Sequence, residues 1–133
     1  MIHRVLKIGR WIVDFLFATK DYEPSEIQSL LLDMGASSQV LDEVYRIIDS
    51  GTLNTGFTYT SQKRKRALVV TGPTSSGREY LNTLTHEVRH LADAIAKSLD
   101  VELDSEPPAY MTGDTIMALA ESVCELGCRC SID

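Results

Sequence analysis

Apolar positions along this chain change period several times, and each change predicts an element. In residues 2 to 19, Trp11-Ile12-Val13 and Phe15-Leu16-Phe17 flank a lone Asp14, and the segment reads as one or two strands. Pro24-Ser25-Glu26-Ile27 opens a helix running to Met34, with Gly35 as its C-cap. A second helix starts at Ser38, carries Val40, Leu41, Val44, Ile47 and Ile48, and ends at Gly51. This pair is expected to cover one face of a sheet. Gly56-Phe57-Thr58-Tyr59-Thr60 and Ala67-Leu68-Val69-Val70-Thr71 are short β-type runs joined by the polar turn Ser61 to Arg66. They predict a hairpin leading through Thr71-Gly72-Pro73-Thr74 into the next helix.

That helix is the longest on offer, since Gly77 to Leu99 contains no proline and no internal glycine. Leu81, Leu84, Val88, Leu91, Ala92, Ile95 and Leu99 recur at three- and four-residue spacing and make one apolar stripe about 120° wide. Ser75 or Ser76 is the expected N-cap, and Glu79 falls in the first turn, where the helix dipole favours it. Asp100 to Ser105 lets the chain reverse. Ala109 to Gly127 then reads as a further helix packed on the first, with Met111, Ile116, Met117, Leu119, Ala120, Val123 and Leu126 as its apolar residues. The succession predicts an α+β fold with a mixed or antiparallel sheet, in one domain over residues 1–133.

Composition narrows the picture without changing it. The chain has 44% hydrophobic and 24% charged residues, as ordinary globular domains do. A formal net charge of −6 argues against broad electrostatic binding to nucleic acid. The exception is local: Lys63, Arg64, Lys65 and Arg66 are consecutive cations. They read as a solvated hairpin tip that protects a sheet edge, with contact to phosphate or an acidic partner as the rival reading. Arg4, Lys7 and Arg10 precede the apolar run at Trp11, but Asp14 interrupts that run and no small-x-small cleavage site follows. The run is also too short to span a bilayer. A cytoplasmic protein is expected, and no membrane or nucleic-acid partner. Cys124, Cys128 and Cys130 form Cys-Glu-Leu-Gly-Cys-Arg-Cys without a fourth ligand nearby. Paired C-x-x-C units are the usual zinc pattern, so free thiols are the expectation here.

The chemistry concentrates at His86-Glu87-Val88-Arg89-His90. On a helix, residues four apart share a face, so both imidazoles can converge on one ion. The stripe assignment puts His86 and His90 near its opposite side, with Asp93 and Lys97. Zinc takes nitrogen ligands at about 2.0–2.1 Å and, in catalytic sites, three protein ligands plus a water. Glu87 is placed to take a proton from such a water, whose pKa the metal lowers to about 7. The pentapeptide therefore offers two ligands and a general base. The plain alternative is a solvated helix face that happens to carry two histidines. Glu106, just before Pro107-Pro108, is the leading third ligand, though the same residue could merely favour a helix dipole. Glu121 and Asp104 are the other carboxylates within reach of that role.

The stretch from about Phe57 to Leu126 resembles the zincin metallopeptidases, and more narrowly the gluzincin type, including small domains of this kind from bacterial mobile elements or phages. The resemblance implies a helix carrying H-E-x-x-H after a sheet whose edge borders a cleft, and a glutamate from a following helix as third ligand. It assigns His86 and His90 as metal ligands and Glu87 as the base. Glu106 in Glu-Pro-Pro-Ala-Tyr is similar to the glutamate of an E-x-x-A-type segment in compact members. The chain departs from the family in the two prolines after Glu106, in the short interval from His90 to Glu106, and in lacking the third histidine and glycine turn of the metzincins.

The implied function is zinc-dependent hydrolysis of peptide bonds in a peptide or protein substrate. An extended peptide would add to the strand at residues 67 to 71. Tyr110, one helical turn after Glu106, is the candidate donor to the oxyanion, with packing or a surface hydroxyl as its commoner fate. The alternative is a zincin scaffold that binds without cleaving, such as a phage-particle component or a regulator, or a saturated structural zinc site.

Overall fold

A computed structural model describes residues 2–17, 24–49, 56–72 and 76–119. The chain is α+β: among the described residues, four strands form one mixed sheet and four helices accompany it. It divides into two compact units, Met1–Pro73 and Thr74–Asp133.

The first unit holds the sheet. Strands β1 (Ile2–Ile8) and β2 (Trp11–Phe17) form an antiparallel hairpin. Gly9 at the turn has φ +59, while Arg10 has no positive φ. Glycine at the first central position is the requirement of a type II′ turn, whose twist matches that of the strands. Helices α1 (Pro24–Asp33) and α2 (Ser38–Asp49) come next, then β3 (Gly56–Ser61) and β4 (Arg66–Thr71). The strand order is β1-β2-β4-β3, with β2 and β4 parallel and both outer pairs antiparallel. The central position of β4 explains its composition. A strand buried on both faces reads as a continuous apolar run, and Ala67 to Thr71 are all buried.

This order corrects one expectation. Residues 67 to 71 cannot receive an added peptide strand, because β4 already pairs with β2 on one side and β3 on the other. The edges of the sheet are β1 and β3.

One sheet face is covered by α1 and α2, as the sequence predicts. Leu16, Leu68 and Val70 from the strands join Ile27, Leu31, Met34 and Val44 from the helices and their connection, with Phe57 and Tyr59 packed at the border. The connection between α1 and α2 is fixed at one point. Gly35 adopts φ +79, its N–H bonds to the Leu32 carbonyl at 2.9 Å, and that of Ala36 bonds to Leu31 at 2.9 Å. These two bonds make a Schellman motif and require a left-handed residue between them. Arg64 of the β3–β4 turn completes the helix end by donating from Nη1 to the Asp33 carbonyl at 2.9 Å.

The basic run is thus less solvated than its composition suggests. Arg64 holds α1, Lys65 lies 5.6 Å from the centre of the Trp11 ring, and Arg66 donates to Asp14 at 3.1 Å. Asp14 itself is only 4% exposed in a central strand. A buried carboxylate is costly unless paired, and Asp14 is held from both neighbouring strands. Arg66 of β4 donates to its Oδ2, and His3 Nε2 of β1 lies 2.9 Å from its Oδ1.

In the second unit, α3 (Gly77–Ser98) is succeeded by α4 (Glu106–Ala118), and the two helices lie against each other. No described helix is long and apolar enough to cross a membrane.

Replacing Asp14 with Ala would leave the Arg66 guanidinium largely buried without its carboxylate. The expected loss in urea unfolding is about 2–3 kcal/mol. A loss below about 1 kcal/mol would show that water replaces the pair at little cost.

Candidate metal centre

Helix α3 is capped at both ends. Ser76 is the N-cap, with extended backbone, and its Oγ accepts the Glu79 N–H at 3.2 Å. At the other end Asp100 stands at φ +57. The Asp100 N–H bonds to the Lys97 carbonyl at 3.2 Å and the Val101 N–H to Ala96 at 2.9 Å. This is again a Schellman motif, here with aspartate in the position glycine usually holds. The caps keep 22 residues helical without a break, which fixes the direction of every side chain between them.

The buried face of α3 differs from the predicted stripe at its borders. Leu84, Val88, Leu91, Ala92 and Ile95 are buried as expected, whereas Leu81 and Leu99 are exposed. Tyr80, Thr83, Glu87 and Ala96 are buried in their place. The real stripe is therefore turned toward Glu87. Apolar identity alone placed the centre too far round, because Leu81 and Leu99 carried weight that the fold does not give them.

His86 and His90 are both on the side away from that face, His86 exposed and His90 exposed beside it. Their Nε2 atoms approach to 3.1 Å, with ring centroids 4.7 Å apart and planes at 88°. Two neutral imidazoles reach this distance only if one Nε2–H donates to the other Nε2. The same spacing suits a metal in place of that proton. Two nitrogens held at about 2.0–2.1 Å around a tetrahedral ion lie about 3.4 Å apart, so the pair needs a shift of only about 0.3 Å. Glu87, one residue round the helix, is 4% exposed at the border between the buried face and the histidines.

Arg89, inside the motif, ties α3 to the turn that precedes α4. Its Nε pairs with Asp93 Oδ1 at 2.9 Å, and its Nη2 donates to the Leu103 carbonyl at 2.7 Å. Leu103 belongs to the turn closed by the Ser105 N–H on the Glu102 carbonyl at 3.2 Å. Sequence reasoning placed Asp93 on the histidine face but did not use Arg89. The Arg-x-x-x-Asp spacing was the signal available.

Helix α4 begins at Glu106, three residues before the predicted start at Ala109. Pro107 and Pro108 occupy the first turn, where a missing N–H removes no intrahelical bond. Ser105 is the N-cap but makes no side-chain cap bond; its hydroxyl donates to the Glu102 carbonyl instead. Glu106 and Tyr110 are both exposed, four residues apart. Pro108, Thr115 and Leu119 are buried, whereas Met117, predicted as an apolar contact, is exposed.

The structure thus brings His86 and His90 together. Among the described residues no group of three His, Cys, Asp or Glu side chains converges, so Glu106 and Asp104 do not stand with the pair as third ligand. Glu121 and the cluster Cys124, Cys128 and Cys130 lie outside the described residues.

No family model, curated protein or solved structure matches the chain.

Substituting Gly for Asp100 removes a Cβ from the left-handed region while keeping both capping bonds. The thermal midpoint should rise, by the equivalent of about 0.5–1 kcal/mol. A lowered midpoint would mean that the aspartate side chain itself holds the turn.

Proposed function

We propose that this protein is a zinc-dependent metallopeptidase of compact, gluzincin-like zincin type. His86 and His90 would hold the ion, Glu106 is the proposed third ligand although it does not stand beside the pair in the described arrangement, and Glu87 is the general base. The observation that carries this reading is the 3.1 Å approach of the two Nε2 atoms on one rigid helix, with a carboxylate at the next residue. Two imidazoles and a carboxylate are also the donor set that suits zinc in hydrolytic sites.

Zinc bound there would polarise a peptide carbonyl and make water acidic enough to ionise near neutral pH. The chain's own residues do the rest. Glu87 accepts a proton from the attacking water on a carboxylate oxygen. It then delivers that proton to the amine nitrogen as the C–N bond breaks, and the water's oxygen ends in the new carboxyl group. Burial raises the strength of the interactions Glu87 makes. Tyr110, one helical turn after Glu106 and exposed, is the donor we assign to the developing oxyanion. The substrate is an extended peptide or protein segment, and its binding does not use β4.

Elemental analysis of untagged protein should find about one zinc per chain, lost in His86→Ala and His90→Ala and kept in Glu87→Gln. Hydrolysis of a denatured protein substrate should fall at least about 100-fold in Glu87→Gln. Full activity in that variant would remove Glu87 as the base. Retained zinc with no hydrolysis by the wild type would favour the non-cleaving scaffold.

A further inference from the structure

We infer that the outer edge of β1 is a docking site for an extended, acidic segment of another protein, which adds to the sheet as a further strand with its acidic residues three positions apart. This edge lies in the first unit and draws on no residue of the proposed metal centre.

An edge strand presents a row of backbone N–H and C=O groups that another strand can take up. β1 pairs with β2 on one side, and among the described residues no strand lies on its other side. The edge is already ordered. The turn at Gly9 ties β1 to β2 along all 7 of its residues, and His3 Nε2 lies 2.9 Å from the buried Asp14. A pre-formed edge loses little freedom when a partner adds to it. One bond competes with the partner: Arg4 Nη1 donates to the His3 carbonyl at 3.2 Å. That bond is exposed, and an incoming N–H can replace it.

Charge selects the occupant. Residues 2 to 13 contain His3, Arg4, Lys7 and Arg10 and no acid, in a chain whose net charge is −6. Arg4 and Lys7 are exposed, and among the described residues no carboxylate pairs with either. Cations on an edge turn most strands away, but opposite carboxylates the same charges attract, so the edge discriminates. A second copy of β1 is a poor occupant. Paired antiparallel in full overlap, His3 would face the second copy's Lys7, and one register step away Arg4 would face it. The opposite edge, β3, has no charged residue between Gly56 and Ser61 and offers an acidic strand nothing. Between the two cations Val5 is 55% exposed, and Ile12, its diagonal neighbour on the same face, is 42% exposed. The partner is therefore apolar between its acids. Their spacing is fixed as well. Side chains alternate along a strand, so Arg4 and Lys7, three residues apart, stand on opposite faces of the sheet. A partner strand running in either direction meets both cations only if its acids are also three apart.

The test uses two fluorescent peptides of valine and threonine that carry a pair of glutamates, three apart in one and two apart in the other. Anisotropy measures their binding to the full chain, and amide hydrogen exchange by NMR locates it. The first peptide should bind saturably, at least about 5-fold tighter than the second, and slow exchange at β1 amides. Lysines in place of its glutamates should abolish binding. Arg4→Glu and Lys7→Glu should each weaken binding about 10-fold while keeping the wild-type thermal midpoint, since both side chains are exposed. If either variant unfolds, Lys7→Gln carries the comparison. No saturable binding, equal binding of the two glutamate peptides, or protection at β3 instead of β1 overturns the inference. So does a free protein whose outward β1 amides are already protected. In a dimer by sedimentation that result gives the edge to a second copy, and in a monomer to this chain itself.

Discussion

The site depends on one constraint, the fixed rotation of 100° per residue along an unbroken α3. Residues four apart return to nearly the same face, which is why His86 and His90 meet at Nε2. A single step puts Glu87 at the border of the buried face, and a three-residue step from His86 puts Arg89 beside the histidines. None of these relations survives a kink. The serine cap at the start and the left-handed aspartate at the end therefore matter to the chemistry as well as to the helix. In the proposed metal centre, a histidine pair held by helical geometry would cost little entropy to order, since the backbone is already fixed.

The sheet answers a different problem with similar means. Its two central strands are mostly apolar: Arg66 and Thr71 bound β4, and Asp14 is the one charge in the middle of either strand. Rather than being exposed at a strand end, that carboxylate is buried and bound from the strands on both sides. The cations at the β3–β4 turn and the start of β4 have related tasks: Arg64 closes the end of α1, Lys65 covers Trp11 and Arg66 pairs with Asp14. Charges that composition marks as surface decoration are used here to finish helix ends and satisfy a buried acid.

Legibility in the sequence tracks the range of each interaction. Local patterns were readable: the β3–β4 hairpin, the helix at Pro24, the helix at Ser38 and the long helix at Gly77 are signalled by turn residues, caps and period, whereas residues 2 to 19 showed strand character without the turn at Gly9. The histidine pair was readable for the same reason. Strand order was not, because pairing between β2 and β4 joins segments 54 residues apart in register and leaves no local mark. That is why residues 67 to 71 looked available to a peptide when they are enclosed. The borders of the α3 stripe were also hidden, since Glu87 is buried by position and Leu81 exposed by position, against their chemistry. The third ligand is the hardest part to read. No spacing in the sequence fixes where the turn before α4 puts Glu106, and the partner of Arg89 in that turn is a backbone carbonyl that no side-chain pattern announces.

The central claim is that the two imidazoles of α3 bind one metal ion. X-ray absorption at the zinc edge of zinc-loaded protein tests it most directly. The predicted result is a first shell of nitrogen and oxygen at about 2.0–2.1 Å with the multiple-scattering signature of two histidines, lost in His86→Ala. A shell of sulfur at about 2.3 Å would place the ion on cysteines instead, and contradict the claim.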